Sequence, residues 1–203
     1  MDHADHVALI SPAVLAGPAP VQHAGPSARP STWADIGAGT GAFTLALADL
    51  LGPGAEIIAV DRDGHALRDN AASIAARFPA TRIRTLVGDL TGELDLPPLD
   101  GLVAANCLHF VDPDRQAGVV RSLARHLRPG APFVVVEYDA DRGNPWVPHP
   151  FPARRWPDLS AAAGLVEPVV IGRVPSRFLG AIYAAVSRRP SAAARRSMSE
   201  AST

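Results

Sequence analysis

Three features of the sequence predict a doubly wound α/β domain. Short apolar runs rich in β-branched residues alternate with amphipathic helical stretches, Gly and Pro punctuate the junctions, and the first apolar run passes through a glycine-rich loop straight into a helix. Strands that recur on the far side of a helix pair in parallel through right-handed crossovers, which opens a ligand crevice at their carboxyl ends.

Residues 32–36, a short run leading straight into the glycines, are predicted to be a buried strand. A helix over 42–51 ends at Gly52-Pro53-Gly54, and 56–60 forms the second strand. The next helix runs over 64–77, where Phe78-Pro79 stops it, and 82–87 is the third strand. A strand over 99–105, a helix over 113–127 and a strand over 132–138 follow, the last after the turn Arg128-Pro129-Gly130. Then the pattern changes. A Pro-rich loop at 142–152 leads to a short helix at 155–163 and strands at 166–174 and 178–187, whose short Pro-containing turn predicts an antiparallel hairpin at one sheet edge.

The ends read differently. Met1-Asp2-His3-Ala4-Asp5-His6 has no basic character and Pro12 breaks the apolar stretch 7–15, so no signal peptide is expected. Residues 11–31 are rich in Pro, Ala and Gly without periodicity and are expected to be loop. The expected organisation is an N-terminal segment and linker over 1–30, one domain over 31–189, and a flexible tail over 190–203.

The chemistry starts at Asp35-Ile36-Gly37-Ala38-Gly39-Thr40-Gly41. Alternate glycines let a ligand lie against bare main chain, and the helix that follows directs its first amides at the loop. The dinucleotide fingerprint is Gly-x-Gly-x-x-Gly, whereas this chain has Gly37-x-Gly39-x-Gly41 led by an acid. A carboxylate at the loop entrance repels a pyrophosphate and attracts an ammonium or sulfonium.

This segment resembles motif I of the class I S-adenosylmethionine-dependent methyltransferases. The resemblance extends strongly to Asp139 and loosely to Arg189. It implies a Rossmann-like sheet of about seven strands with the last antiparallel, and S-adenosylmethionine as cofactor. Asp61 stands 20 residues beyond Gly41 at the end of the second strand, where a carboxylate accepts from vicinal ribose hydroxyls. NAD would use such an acid too, and Asp61-Arg62-Asp63 equally suits a helix start. By resemblance, Asp89 takes the adenine amino group and the Leu90 amide a ring nitrogen. Asp35 and the backbone of Gly37, Ala38, Gly39, Thr40 and Gly41 hold the methionine part, and the Asn106 backbone carbonyl lines its end. Arg62 belongs to the same expected cofactor set. Gly88-Asp89 is also a common turn pair, and the glycine loop on its own also suits a tight strand-to-helix turn.

In Ala105-Asn106-Cys107-Leu108-His109-Phe110 the family places residues that face the acceptor. His109 is the candidate general base, with an aromatic spacer or turn cap as its alternative role. Glu137-Tyr138-Asp139 emerges on the same rim, either to meet substrate or to fix the following loop through Arg142. Trp146, His149, Phe151 and Trp156 either wall an acceptor pocket or pin that loop. The family often adds an N-terminal helical cap, which the Pro-rich lead does not promise. Asn106-Cys107-Leu108-His109 and Leu127-Arg128-Pro129-Gly130 are similar to small-molecule methyltransferases of the quinone-biosynthesis type (methyltransferase type 11). The motif of base-modifying amino-methyltransferases, with two prolines and an aromatic, is missing after the fourth strand.

Composition narrows the remaining classes. Hydrophobic residues make up 47% of the 203, which excludes a disordered chain, and a net charge of −1 gives no global field toward nucleic acid or an anionic membrane. All 19 basic residues are Arg. Cys107 stands alone, so no intrachain disulfide forms and a cytoplasmic setting is expected, with a homodimer left open. No Gly-x-Ser-x-Gly elbow exists, Cys107 has the setting of a packed thiol, and His3-x-x-His6 lacks further metal ligands. The expected function is methyl transfer from S-adenosylmethionine to a small molecule. The alternatives are a non-catalytic module that binds S-adenosylmethionine or S-adenosylhomocysteine, and a nicotinamide-dependent oxidoreductase.

Overall fold

The computed structural model describes residues 1–16 and 30–191. Most of the expected linker and tail lies outside the described residues. The strands β1 (Thr32–Ile36), β2 (Glu56–Asp61), β3 (Arg82–Val87), β4 (Gly101–Ala105), β5 (Pro132–Tyr138), β6 (Val166–Pro175) and β7 (Ala181–Arg188) form one sheet in the order β3-β2-β1-β4-β5-β7-β6. The first five are parallel, and β7 pairs antiparallel with both β5 and β6. The order reverses at β1, between β2 and β4, so the carboxyl ends of these three strands frame the crevice that the alternation predicted.

Helices α1 (His3–Leu15), α2 (Ala42–Leu51), α3 (Gly64–Arg77), α4 (Pro113–Ala124) and α5 (Trp156–Ala162) complete the chain, and none is long and apolar enough to cross a membrane. Two apolar clusters hold the layers. One joins Ile36, Leu102, Val135 and Tyr183 to α4, Phe151 and Trp156, and the other joins Trp33, Val103, Val134 and Ala184 to α1 and α2. β1, β4 and β5 are buried along their whole length, as a parallel sheet covered on both faces requires.

Some boundaries move. β4 begins at Gly101, because Leu99 makes only an isolated bridge to Leu127, and α4 ends at Ala124 in a tight turn that returns the chain toward β5. The larger correction is α1, which crosses the Pro12 expected to break it. Asp2 and Asp5 close a reciprocal capping box at its start. Pro12 cannot donate to the Ala8 carbonyl four residues back, and the Ser11 hydroxyl donates to that oxygen instead at 3.4 Å. Arg188 then donates to the Ala16 carbonyl just past the helix end at 3.1 Å. With its breaker accommodated, α1 buries Leu9, Ile10, Ala13 and Val14 against α2 and the β5–β7–β6 part of the sheet.

Candidate cofactor and acceptor site

The glycine loop is locked from within. Gly37 and Ala38 both donate to the Val60 carbonyl at 2.8 and 3.0 Å, Gly41 donates to Ala38 at 2.9 Å, and Gly39 donates to Asp61 Oδ2 at 2.8 Å. Four amides that could have cradled a phosphate are thereby occupied, one by a carboxylate. Gly37 has φ +70° and a Cβ there would lie 2.4 Å from Cys107 Cβ, so the β1 and β4 turns meet backbone against side chain.

Asp35 is expected to hold the methionine part of the ligand, and the structure buries it at 1% exposure. It accepts from Thr44 Oγ1 at 2.6 Å, and Thr44 in turn accepts from Asn70 Nδ2 at 2.8 Å. Burial, opposed by the Thr44 bond and reinforced by the nearby Asp61 charge, raises the Asp35 carboxyl to about 7. The side chain therefore stands beneath the loop, where its charge responds to a cation but its oxygens belong to α2. Thr44 and Asn70 were missed in the sequence. The available signal was Asn70 itself, a polar residue in phase with Leu67 and Ile74 on the buried face of α3.

Asp61, Arg62, Asp89, Leu90 and Asn106 all line one cavity of about 240 Å³ together with Ile36, Gly37 and Phe110. The structure thus brings together six of the expected cofactor residues from distant parts of the sequence, Gly37 among them. Asp61 Oδ1 accepts from the Asp63 amide at 2.9 Å, while Asp63 is the N-cap of α3 and takes His65 and Ala66 amides at 2.8 and 3.2 Å. The helix-start role considered for Asp61 falls to its neighbour. Asp89 Oδ1 accepts the amide and hydroxyl of Thr91, both at 2.7 Å, and these bonds hold its carboxyl below the usual range. The turn role and the rim position of Asp89 coexist, since both Thr91 bonds fall on Oδ1 and Oδ2 retains its acceptor capacity.

Asn106 follows β4 with φ +51° and donates its amide to Val136 at 2.8 Å. Its Oδ1 is buried without a hydrogen-bond partner. The residue lines the first cavity and also a second, of about 250 Å³, formed by Met1, by His6 of α1, by Tyr138, and by the β6–β7 turn from Pro175 to Phe178. Asn106 is the residue common to both linings.

His109 differs from expectation. It is 2% exposed and lines neither cavity. Its Nδ1 lies 2.8 Å from Glu137 Oε2, and Glu137 Oε1 accepts the Leu108 and His109 amides at 2.9 and 3.2 Å. The ring packs edge-on against Tyr138 at 5.5 Å, which places His109 as support for a residue that does line the second cavity. Glu137 was not singled out from its neighbours in the sequence, although an acid inside the buried run Val134-Val135-Val136-Glu137-Tyr138 is the signal of a paired carboxylate. Asp139 fixes the following loop, but through the Ala153 amide at 3.0 Å and an ion pair with Arg173 rather than Arg142. Phe151 and Trp156 are wholly buried and anchor that loop to the core, while Trp146 stands 78% exposed. None of these aromatics, nor His149, walls either cavity. Cys107 is buried and its thiol is pushed well up by burial and by the Glu137 charge, as a packed thiol should be.

The donor set fits S-adenosylmethionine. Carboxylate acceptors face a cavity with one arginine, the loop amides are taken, and an unpartnered buried carbonyl oxygen on Asn106 awaits a donor. A pyrophosphate would need the reverse.

The fold is that of the class I S-adenosylmethionine-dependent methyltransferases. Residues 34–133 match the family described as methyltransferase domain, whose cofactor is S-adenosylmethionine. No curated protein sequence matches the chain. Among solved structures, the chain is similar to the 1,6-didemethyltoxoflavin-N1-methyltransferase of Burkholderia thailandensis with bound 1,6-didemethyltoxoflavin and S-adenosylhomocysteine, at 23% identity and TM-score 0.64 over 80% of this chain and 72% of that one. It is also similar to an S-adenosylmethionine-dependent methyltransferase from Methanosarcina mazei, at 16% identity and TM-score 0.62 over 80% of this chain and 94% of that one. The S-adenosylmethionine-dependent methyltransferase SibL matches at 21% identity and TM-score 0.62 over 89% of this chain, which spans 54% of SibL. At these identities the likeness is one of fold.

Proposed function

We propose that the chain transfers the methyl group of S-adenosylmethionine to a small-molecule acceptor held in the second cavity. The observation that carries this reading is Asn106, in a left-handed conformation at the end of β4, lining both the carboxylate-rimmed cavity and its neighbour. A transfer by direct displacement needs the two reactants in line and close, and adjacent chambers sharing one wall meet that need.

In this reading Asp61 accepts from the ribose hydroxyls with the capacity its two amide bonds leave free. Asp89 takes the adenine amino group, Leu90 and Phe110 line the ring, and Arg62 flanks the rim. Gly37, Ala38, Gly39, Thr40 and Gly41 supply bare backbone to the methionine part, Asp35 a buried charge beneath it, and Asn106 an acceptor for its ammonium. The bound cofactor supplies an electrophilic methyl group activated by the sulfonium charge. The protein orients the acceptor and excludes water, and Glu137 and His109 position the turn after β4 and Tyr138.

The 1,6-didemethyltoxoflavin bound by the Burkholderia methyltransferase of the same fold supports a small acceptor. Incubation with methyl-labelled S-adenosylmethionine and a deproteinised cell extract should yield a labelled small molecule. Label that appears only when protein or nucleic acid is supplied would refute the acceptor class. Asp61→Ala should weaken S-adenosylhomocysteine binding by more than about 1 kcal/mol, the scale of lost charge-assisted hydrogen bonds, and calorimetry reads this directly. Unchanged affinity removes Asp61 from the ribose site.

A further inference from the structure

The two chambers differ in sign. The first carries the carboxylates Asp61 and Asp89 with one arginine, whereas the lining of the second contains no carboxylate and its side-chain cation is Arg177. Arg177 pairs with no carboxylate among the described residues, and its recorded contact is the neighbouring Phe178 ring, 5.7 Å from its guanidinium carbon. Phe178 is 62% exposed, a large apolar ring left uncovered beside that charge. Tyr138 and Ile182 continue the apolar wall, and His6 adds a third ring, itself braced edge-on against Phe43 at 4.9 Å.

His6 adds little charge. Burial lowers its imidazole below the ordinary value, and the neighbouring N-terminal amino group and His3 act in the same direction against Asp5 and the Asp2 carbonyl. It stands as a neutral hydrogen-bonding group near pH 7.

We infer that the second cavity binds a small aromatic anion, its charge on Arg177, its ring between Phe178 and Tyr138, and a polar substituent on His6. This assigns the acceptor class and rests on the methyltransferase reading above. An anion has a further reason to prefer this position, because the chamber beyond Asn106 takes a cationic sulfonium.

The test is calorimetric titration of the full chain saturated with S-adenosylhomocysteine, using 4-hydroxybenzoate and its neutral counterpart 4-hydroxybenzamide as probes. The benzoate should bind at least about fivefold tighter than the amide, the scale of one partly exposed ion pair. Arg177→Gln should abolish that preference without changing affinity for the amide or for S-adenosylhomocysteine, and Arg177→Lys should retain part of it. Phe178→Ala should weaken both probes alike. Equal affinities for the two probes, binding of neither, or an Arg177→Gln variant that keeps the preference would each overturn the inference and leave the cofactor assignment standing. Failure of the unaltered chain to bind S-adenosylhomocysteine would instead overturn the methyltransferase reading and this one with it.

Discussion

Asp35 belongs to the fold and, in the reading proposed above, to the site as well. Its carboxyl titrates near 7 in the folded chain against about 3.8 unfolded. A raised folded pKa means that its contribution to stability is complete below the unfolded value and is lost as pH rises to and through the folded one. Without ligand, the chain should therefore lose stability relative to Asp35→Asn between about pH 4 and pH 7, by roughly a few kcal/mol at the worth of one pH unit per 1.4 kcal/mol, and the gap should then stay level. Urea titrations of both proteins across that range check this, and parallel curves would show that Asp35 does not titrate there. Glu137 is the second such residue. Glu137→Ala leaves two buried amides and an imidazole without a partner and should cost about 3 kcal/mol, whereas Glu137→Gln keeps an acceptor for the Leu108 and His109 amides and should recover much of it. Neither partner could be found from spacing alone, since the Glu137–His109 contact depends on β4 and β5 lying side by side with Ala105 opposite Val136.

At the level of elements, β1, β2, β5, α2 and α3 were legible because local pattern and tertiary burial agree there, and β3 because its β-branched run stands out although the strand lies exposed at the sheet edge. The glycine loop and the acids at the ends of β1 and β2 were legible for the same reason, as they sit where strand periodicity stops. What was hidden depended on contacts distant in sequence. α1 is the main case, because Pro12 argues against a helix that Ser11, a capping box and burial against α2 together sustain. The sequence also offered no helical cap, yet α1 brings His6 to the second cavity and so takes part in enclosing it. The energy holding it comes from packing. Ile10→Ala removes a fully buried side chain and should destabilise the chain by about 3 kcal/mol, within the usual range for such truncations, measured as a lower urea midpoint. A change under about 1 kcal/mol would mean that α1 docks loosely.

Across the whole molecule, the cavity proposed to hold the cofactor draws on the loops after β1, β2, β3 and β4, and so on four separate parts of the sheet. A ligand that bridges all four is bound only when the central sheet is assembled, and its binding energy adds to global stability by mass action. At one hundred times its dissociation constant, S-adenosylhomocysteine should stabilise the chain by about 2.7 kcal/mol. For a domain of this size that raises the melting temperature by roughly 5 to 10 °C. NADH at the same concentration should leave it unchanged, because its pyrophosphate meets loop amides already given to Val60, Ala38 and Asp61 and a carboxylate where it needs a donor. Differential scanning fluorimetry separates the two outcomes, and a shift with NADH but not with S-adenosylhomocysteine would mean that the loop can release its amides to a phosphate after all.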